Sequence, residues 1–287
     1  MRVEPLDAEL GELYEPFNPQ SRVARWFEPP EFFLHIDETN EQPFVGPIAQ
    51  MAALRYPLLS RLTKTRSLAD GRAALDTWRR VGRYRREGRS VLVKDPIALF
   101  STPWLHERFG FRPVILVRHP CGFVSSVLRI GWTINFASWL RQDRLMETLL
   151  APWRAEIEAA AERGTDALLD SALFWRACTG VITGYRDRYP EWVVLRHEDL
   201  ALDPERKFAE LYGTLGLRWS DAVAAQVIDA TNADNPGEAE TGVQHTLARD
   251  SRAVTEVWRT RLSADQVATV REVTADVSDN YYPDDTW

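Results

Sequence analysis

Unbroken apolar runs rich in Val, Leu and Ile punctuate the chain at Ser90–Val93, Val114–Val117 and Trp192–Leu195. Runs that do not alternate with polar residues are the pattern of strands buried on both faces, as in parallel sheets. Glu9–Tyr14 adds a shorter β-like segment. Between these runs the apolar period lengthens to that of helices, at Gly46–Thr63, Leu68–Arg86, Thr102–Phe109, a stretch ending near Arg129, Ile134–Leu150, Pro152–Arg163, Ala167–Tyr189, Asp221–Ala230 and Ala264–Asp279. The Ala167–Tyr189 segment carries its stripe through Leu168, Ala172, Trp175, Cys178 and Ile182. Asp203 followed by Pro204 starts a further helix, which Gly213 and Gly216 close. Strands alternating with helices predict an α/β fold, a parallel sheet with helices on both faces. Gln20–Gln42, rich in proline and aromatics, has no period and reads as a long surface loop anchored by Trp26, Phe27, Phe32 and Phe33. No internal repeat or linker divides the chain, so residues 1–287 read as a single domain.

The densest signal is Pro113–Arg129, PVILVRHPCGFVSSVLR. The apolar run stops at Arg118, Pro120 turns the chain, and Phe123, Val127 and Ile130 resume at helical spacing. Arg118 therefore stands at the carboxyl end of a parallel strand, where open α/β sheets bind ligands. Ser126, eight positions on, falls on the first turns of the next helix. A strand-end Arg, a Ser and open backbone N–H groups at a helix start form a phosphate site. An Arg that only closes a strand and a Ser that only faces solvent are the alternative, and the residues alone leave both open.

Composition narrows the partners. The chain has 45% hydrophobic and 27% charged residues, as ordinary globular proteins do, and a net charge of −7 that argues against nucleic acid. Two cysteines, Cys121 and Cys178, make neither a disulfide framework nor a metal-ligand spacing. No apolar run is long enough to span a membrane and no secretory pattern opens the chain, so a cytoplasmic location is expected. Basic residues are nearly all Arg, with Lys only at Lys64, Lys94 and Lys207. Lys94 thus stands out, because Lys and Arg are not interchangeable at a reacting centre. The Arg79–Arg89 cluster reads as a solvated helix face or an anion patch.

The segment VRHPCGFVSSVLR resembles the 3′-phosphate-binding element of sulfotransferases that use 3′-phosphoadenosine 5′-phosphosulfate (PAPS), the bacterial type in particular. VVLRHEDLALDPERKFAELYGTLGL (Val193–Leu217) and ARDSRAVTEVWRTRLSADQ (Ala248–Gln266) resemble two further blocks of that family, in its order. The resemblance runs from about Leu13 to the C-terminus. It implies the P-loop-NTPase-like sulfotransferase fold, PAPS as co-substrate and no metal. By the same likeness Arg118 and Ser126 hold the 3′-phosphate, Ser251 and Arg252 belong to a second donor-binding loop, and His197 stands where relatives carry a Tyr against the adenine. The family's opening strand and its Gly/Ser/Thr-rich turn for the 5′-phosphosulfate have no counterpart here, and no Walker-type loop occurs. The expectation is an N-terminally incomplete sheet.

Sulfuryl transfer needs a held nucleotide, a base for the acceptor hydroxyl and positive charge at the leaving oxygen. Glu15, just past the first β segment, and Asp95, after Lys94 at the next strand end, are the candidate bases, with Glu15 ahead. Lys94 supplies charge, or merely pairs with a neighbouring acid. His119 reads as orienting the turn, and no His has a Ser or Cys partner at a triad spacing. The expected activity is sulfuryl transfer to a hydroxyl of a small molecule, glycan or lipid-linked acceptor. The rival is a truncated relative serving as a 3′-phosphonucleotide-binding or protein-interaction module.

Overall fold

A computed structural model describes residues 10–20, 25–237 and 248–287, with the side chain of Asp285 excepted. The described residues fall into two compact units, one of residues 10–111 and 138–147, the other of 112–137 and 148–287.

In the first unit β1 (Leu10–Tyr14) pairs in parallel with β2 (Ser90–Lys94), Tyr14 opposite Lys94. The intervening chain holds helices Gln42–Ala52, Leu58–Leu62 and Leu68–Glu87. The expected helix over Gly46–Thr63 is thus two helices, because Leu54 turns left-handed (φ 51°) and Pro57 cannot continue a helix. Leu68–Glu87 is capped by Ser67, which accepts the Asp70 N–H, and by left-handed Gly88. It buries Ala74, Thr77, Val81 and Tyr84, a stripe at helical spacing. Tyr84 lies so close to Gly11 of β1 that a Cβ there would meet its ring at 2.6 Å.

The described part of the segment expected to be a loop has no helix or strand before Gln42, and of its four expected anchors Trp26 and Phe27 are buried while Phe32 and Phe33 are only half-buried. Trp26, Phe27, Leu34 and Ile36 are buried with Leu13, Phe17, Ile48 and Met51. Its backbone is satisfied by side chains from 138–147: the His35 N–H donates to Gln142 Oε1 at 2.8 Å, and Ser138 Oγ donates to the Phe32 carbonyl at 3.0 Å. Those duties replace the expected Ile134–Leu150 helix by two short ones, Ala137–Leu140 and Asp143–Glu147.

In the second unit β3 (Val114–Val117) pairs in parallel with β4 (Val193–Arg196). The strands therefore form two two-stranded parallel sheets among the described residues, where one sheet was expected. The α/β character stands. Helices Pro120–Ile130, Ala167–Arg188 and Ala264–Ser278 pack mutually around Cys121, Val124, Ala172, Trp258 and Val270. Asp203 does precede the Pro204–Leu215 helix, but its carboxylate pairs with Arg206 instead of capping.

Gly180, mid-helix in Ala167–Arg188, faces the buried Trp153 so closely that a Cβ would lie 2.3 Å from the indole. Helix propensity alone favours Ala over Gly by about 1 kcal/mol. Overpacking a rigid buried ring costs about 1–3 kcal/mol. Gly180→Ala should therefore lower the urea midpoint despite the better helix former, and Trp153→Leu in the same chain should restore part of the loss. A rise in midpoint for G180A alone would contradict this packing.

Candidate functional site

Arg118 follows β3 directly, and the helix Pro120–Ile130 begins two residues later. Its Nη1 donates to Ser126 Oγ at 3.0 Å, and Ser126 Oγ donates to the Gly122 carbonyl at 3.0 Å. Trp175 Nε1 clamps the Arg118 carbonyl at 2.8 Å. The guanidinium lies along the helix's first turn because residue 122 is glycine: a Cβ there would stand 3.1 Å from Arg118 Nε. Burial pushes the Arg118 pKa down, partly opposed by the field of Glu198 and reinforced by that of Arg261. Among the described residues no carboxylate forms an ion pair with Arg118. A desolvated guanidinium facing a second arginine's field, with a hydroxyl beside it, suits an oxyanion of high charge.

His119 caps that helix, its Nδ1 accepting the Cys121 N–H at 3.2 Å. The ring is stacked on Trp258 at 4.8 Å and edged by Tyr282 and Trp287. Burial, the main cause, lowers its pKa to about 4, so it is neutral with its proton on Nε2. Glu198, at the start of the His197–Leu202 helix, accepts the His119 backbone N–H at 3.0 Å and the Tyr282 hydroxyl at 2.8 Å. Burial alone would raise the Glu198 pKa; hydrogen bonds from the His119 N–H and the Tyr282 hydroxyl, with His197 close by, overcome it and bring it to about 2. His197 Nδ1 stands 3.9 Å from Glu198 Oε1. Ser251 Oγ donates to the Ala201 carbonyl at 2.6 Å, and Arg252 Nη2 to the Leu202 carbonyl at 2.9 Å. Both residues thereby hold the end of the His197–Leu202 helix. Arg118 and Ser126 are in direct contact; Ser251 and Arg252 share their own carbonyl pair.

A second cluster sits at the strand ends of the other unit. Glu15 has φ 45°, a left-handed conformation uncommon for a residue with a Cβ. Its N–H continues the ladder to the Lys94 carbonyl at 2.9 Å. Lys94 Nζ pairs with Glu15 Oε1 at 2.8 Å and lies over the Tyr14 ring, while Asn18 Nδ2 donates to Glu15 Oε2 at 2.8 Å. Burial would raise the Glu15 pKa, but the bonds from Lys94 and Asn18 bring it below the usual carboxylate range. Burial likewise opposes the Lys94 charge, and Glu15 more than compensates. Asp95 differs. Its Oδ2 accepts the Phe17 N–H at 2.6 Å and its Oδ1 the Ile97 N–H at 3.1 Å, so both oxygens fasten backbone. Burial raises its pKa to about 7. Of the two carboxylates, Glu15 is the one held by side chains, in a strained backbone, beside a cation. Such strain is common where a site needs a particular orientation.

Sequence reasoning did not single out Glu198, Tyr282 or Arg261. Among the described residues no group of His, Cys, Asp and Glu has a metal-holding arrangement.

Carbohydrate sulfotransferase 1 from Homo sapiens is 38% identical to this chain over 79 residues, which is 27% of the chain and 18% of that protein. No family model matches, and no solved structure does. The likeness is partial: the chain spans less than a fifth of the length of that protein, and what is shared is a similarity to one segment of a carbohydrate sulfotransferase.

The two shifted groups around Arg118 make stability depend on acid in two windows. Unfolded His119 binds a proton near 6.5 that the folded ring refuses until about 4, so stability is lost as pH falls through that interval. The size is about 3 kcal/mol. Unfolded Glu198 protonates near 4.5 whereas the folded carboxylate stays charged to about 2, so a second loss follows at lower pH. His119→Asn keeps a side-chain acceptor for the Cys121 N–H. In urea titrations across this pH range, H119N should remove the loss in the upper window, where the raised pKa of Asp95 acts in the opposite direction, and leave the lower one. A wild-type profile in H119N would mean that His119 is not the group responsible.

Proposed function

We propose that this protein transfers a sulfuryl group from PAPS to an acceptor hydroxyl, on a P-loop-NTPase-like sulfotransferase fold spanning residues 1–287. The observation that carries the reading is the strand-end Arg118, half-buried with its guanidinium largely desolvated, bonded to Ser126 and without an ionic partner of its own among the described residues. That arrangement fits the dianionic 3′-phosphate. It separates PAPS from donors that lack the group, and the 79-residue likeness to a carbohydrate sulfotransferase is in accord. PAPS supplies the activated sulfuryl group, and the chain's residues bind, orient and move the proton.

In this reading Arg118 and Ser126 hold the 3′-phosphate at its oxygens, with Arg261 adding to the field. Ser251, Arg252 and His197 border the nucleotide. Glu15, ionised at neutral pH, takes the proton of the acceptor hydroxyl, and Lys94 both orients it and carries positive charge. Asp95 fixes the Glu15 turn through the Phe17 N–H. The acceptor is a small molecule, a glycan or a lipid-linked sugar.

Calorimetric titration with adenosine 3′,5′-bisphosphate tests the nucleotide end. Arg118→Ala should weaken binding by roughly 2–4 kcal/mol and Ser126→Ala by about 1 kcal/mol. Equal affinity across wild type and both variants would remove the 3′-phosphate assignment. Release of adenosine 3′,5′-bisphosphate from PAPS, with a panel of hydroxylated acceptors, tests the chemistry. Glu15→Gln should slow that release about 10²–10⁴-fold with donor affinity unchanged. Tight nucleotide binding with no acceptor-dependent release would favour the binding-module reading.

A further inference from the structure

The stretch Arg55–Arg89 holds eleven Lys and Arg against three Asp and Glu, leaving the other 252 residues with 24 basic against 39 acidic side chains. A chain of net charge −7 thus concentrates its positive charge in one eighth of its length. The folded structure sharpens this. The Leu68–Glu87 helix buries Ala74, Thr77, Val81 and Tyr84, and at 100° per residue the opposite stripe is Leu68, Arg72, Arg79, Arg83 and Arg86. All five side chains of that stripe are exposed. From Arg72 to Arg86 it runs about 21 Å. Acidic partners are few: Asp76 reaches Arg79 at 3.8 Å, and Glu28 engages Arg61 and Lys64 outside the stripe.

Apolar side chains accompany the charge. Leu68, in the stripe itself, is 86% exposed, and Leu59 on the adjoining Leu58–Leu62 helix is 81% exposed; Trp78, at the stripe's flank, is 48% exposed. A singly exposed leucine is ordinary; what sets this face apart is that Leu68 lies inside the arginine stripe, with a second bare leucine on the adjoining helix. A soluble polyanion would use the arginines but not Leu68 or Leu59. A surface of anionic lipid headgroups over an apolar layer uses both, the guanidinium groups pairing with phosphates while the leucines enter the acyl boundary. Among the described residues no helix is long and apolar enough to cross a membrane, so the contact is peripheral.

We propose that the outer face of the Leu68–Glu87 helix, with Leu59 beside it, docks this protein on anionic lipid bilayers. The assignment is independent of the nucleotide chemistry above. Flotation of the full chain with phosphatidylcholine vesicles, with and without phosphatidylserine, is the test. Binding should require phosphatidylserine and fade as salt shortens the Debye length from about 10 Å to about 3 Å. The triple variant Arg72→Gln, Arg79→Gln, Arg83→Gln should bind about 100-fold more weakly, at the increment expected of three basic side chains near a charged membrane. Leu68→Ser should also weaken vesicle binding while leaving retention on a soluble sulfated polysaccharide unchanged. Absence of wild-type binding to the anionic vesicles overturns the proposal. So does vesicle binding indifferent to L68S combined with tight, salt-sensitive polysaccharide binding, which would make the face a polyanion site. The wild-type salt and lipid dependence decides the matter even should the triple variant fold poorly.

Discussion

Glu198 keeps a full negative charge in a place that water scarcely reaches, and the fold of its unit is arranged to make that tolerable. Burying a carboxylate costs several kcal/mol unless donors surround it. Here the donors come from two distant stretches: the His119 backbone after β3 and the Tyr282 hydroxyl near the C-terminus. Tyr282 also reaches the Val117 carbonyl at 3.1 Å. The ends of both strands and the C-terminal segment must therefore come together at once. His119, fixed by this demand, caps the helix that presents Ser126, and Gly122 leaves room for the Arg118 guanidinium. The anion-ready arginine is a product of the buried acid behind it.

How much of this was legible depends on whether the cause was local. Val114–Val117 and Thr102–Phe109 match their expected bounds, because an apolar run ended by Arg-His-Pro and a helix stopped by Gly110 are local signals. The Arg118–Ser126 contact fits the same geometry, strand end to helix turn, but the residues alone left it open and only the family resemblance favoured it. The pairing of strands was not, since parallel partners lie some eighty residues apart and nothing local specifies them. Ile134–Leu150 had the period of one helix, yet Ser138 and Gln142 serve the backbone near His35 instead. Tertiary duties overrode periodicity. Glu198 and Tyr282 carry no pattern at all; their meaning arises only from what folding places beside them.

The two clusters differ in their stance toward ligands. At Arg118 the protein supplies positive charge that its own acids leave largely uncompensated. At Glu15 each charge has a partner, Lys94 for the carboxylate and Glu15 for the ammonium. The first arrangement favours binding an anion outright. The second holds a carboxylate and an ammonium in mutual register, each offsetting the other's charge. Asp95, both oxygens bound to backbone, keeps that register by fastening the residues after Glu15.

The left-handed backbone at Glu15 bears on how this protein responds to selection in the laboratory. Glycine adopts such a φ without the Cβ clash that burdens other residues by roughly 1–2 kcal/mol. A search for thermostable variants alone would therefore drift toward glycine at this position and discard the carboxylate with the strain. Stabilised descendants obtained without a functional screen would look improved by every melting curve while lacking the group that pairs with Lys94.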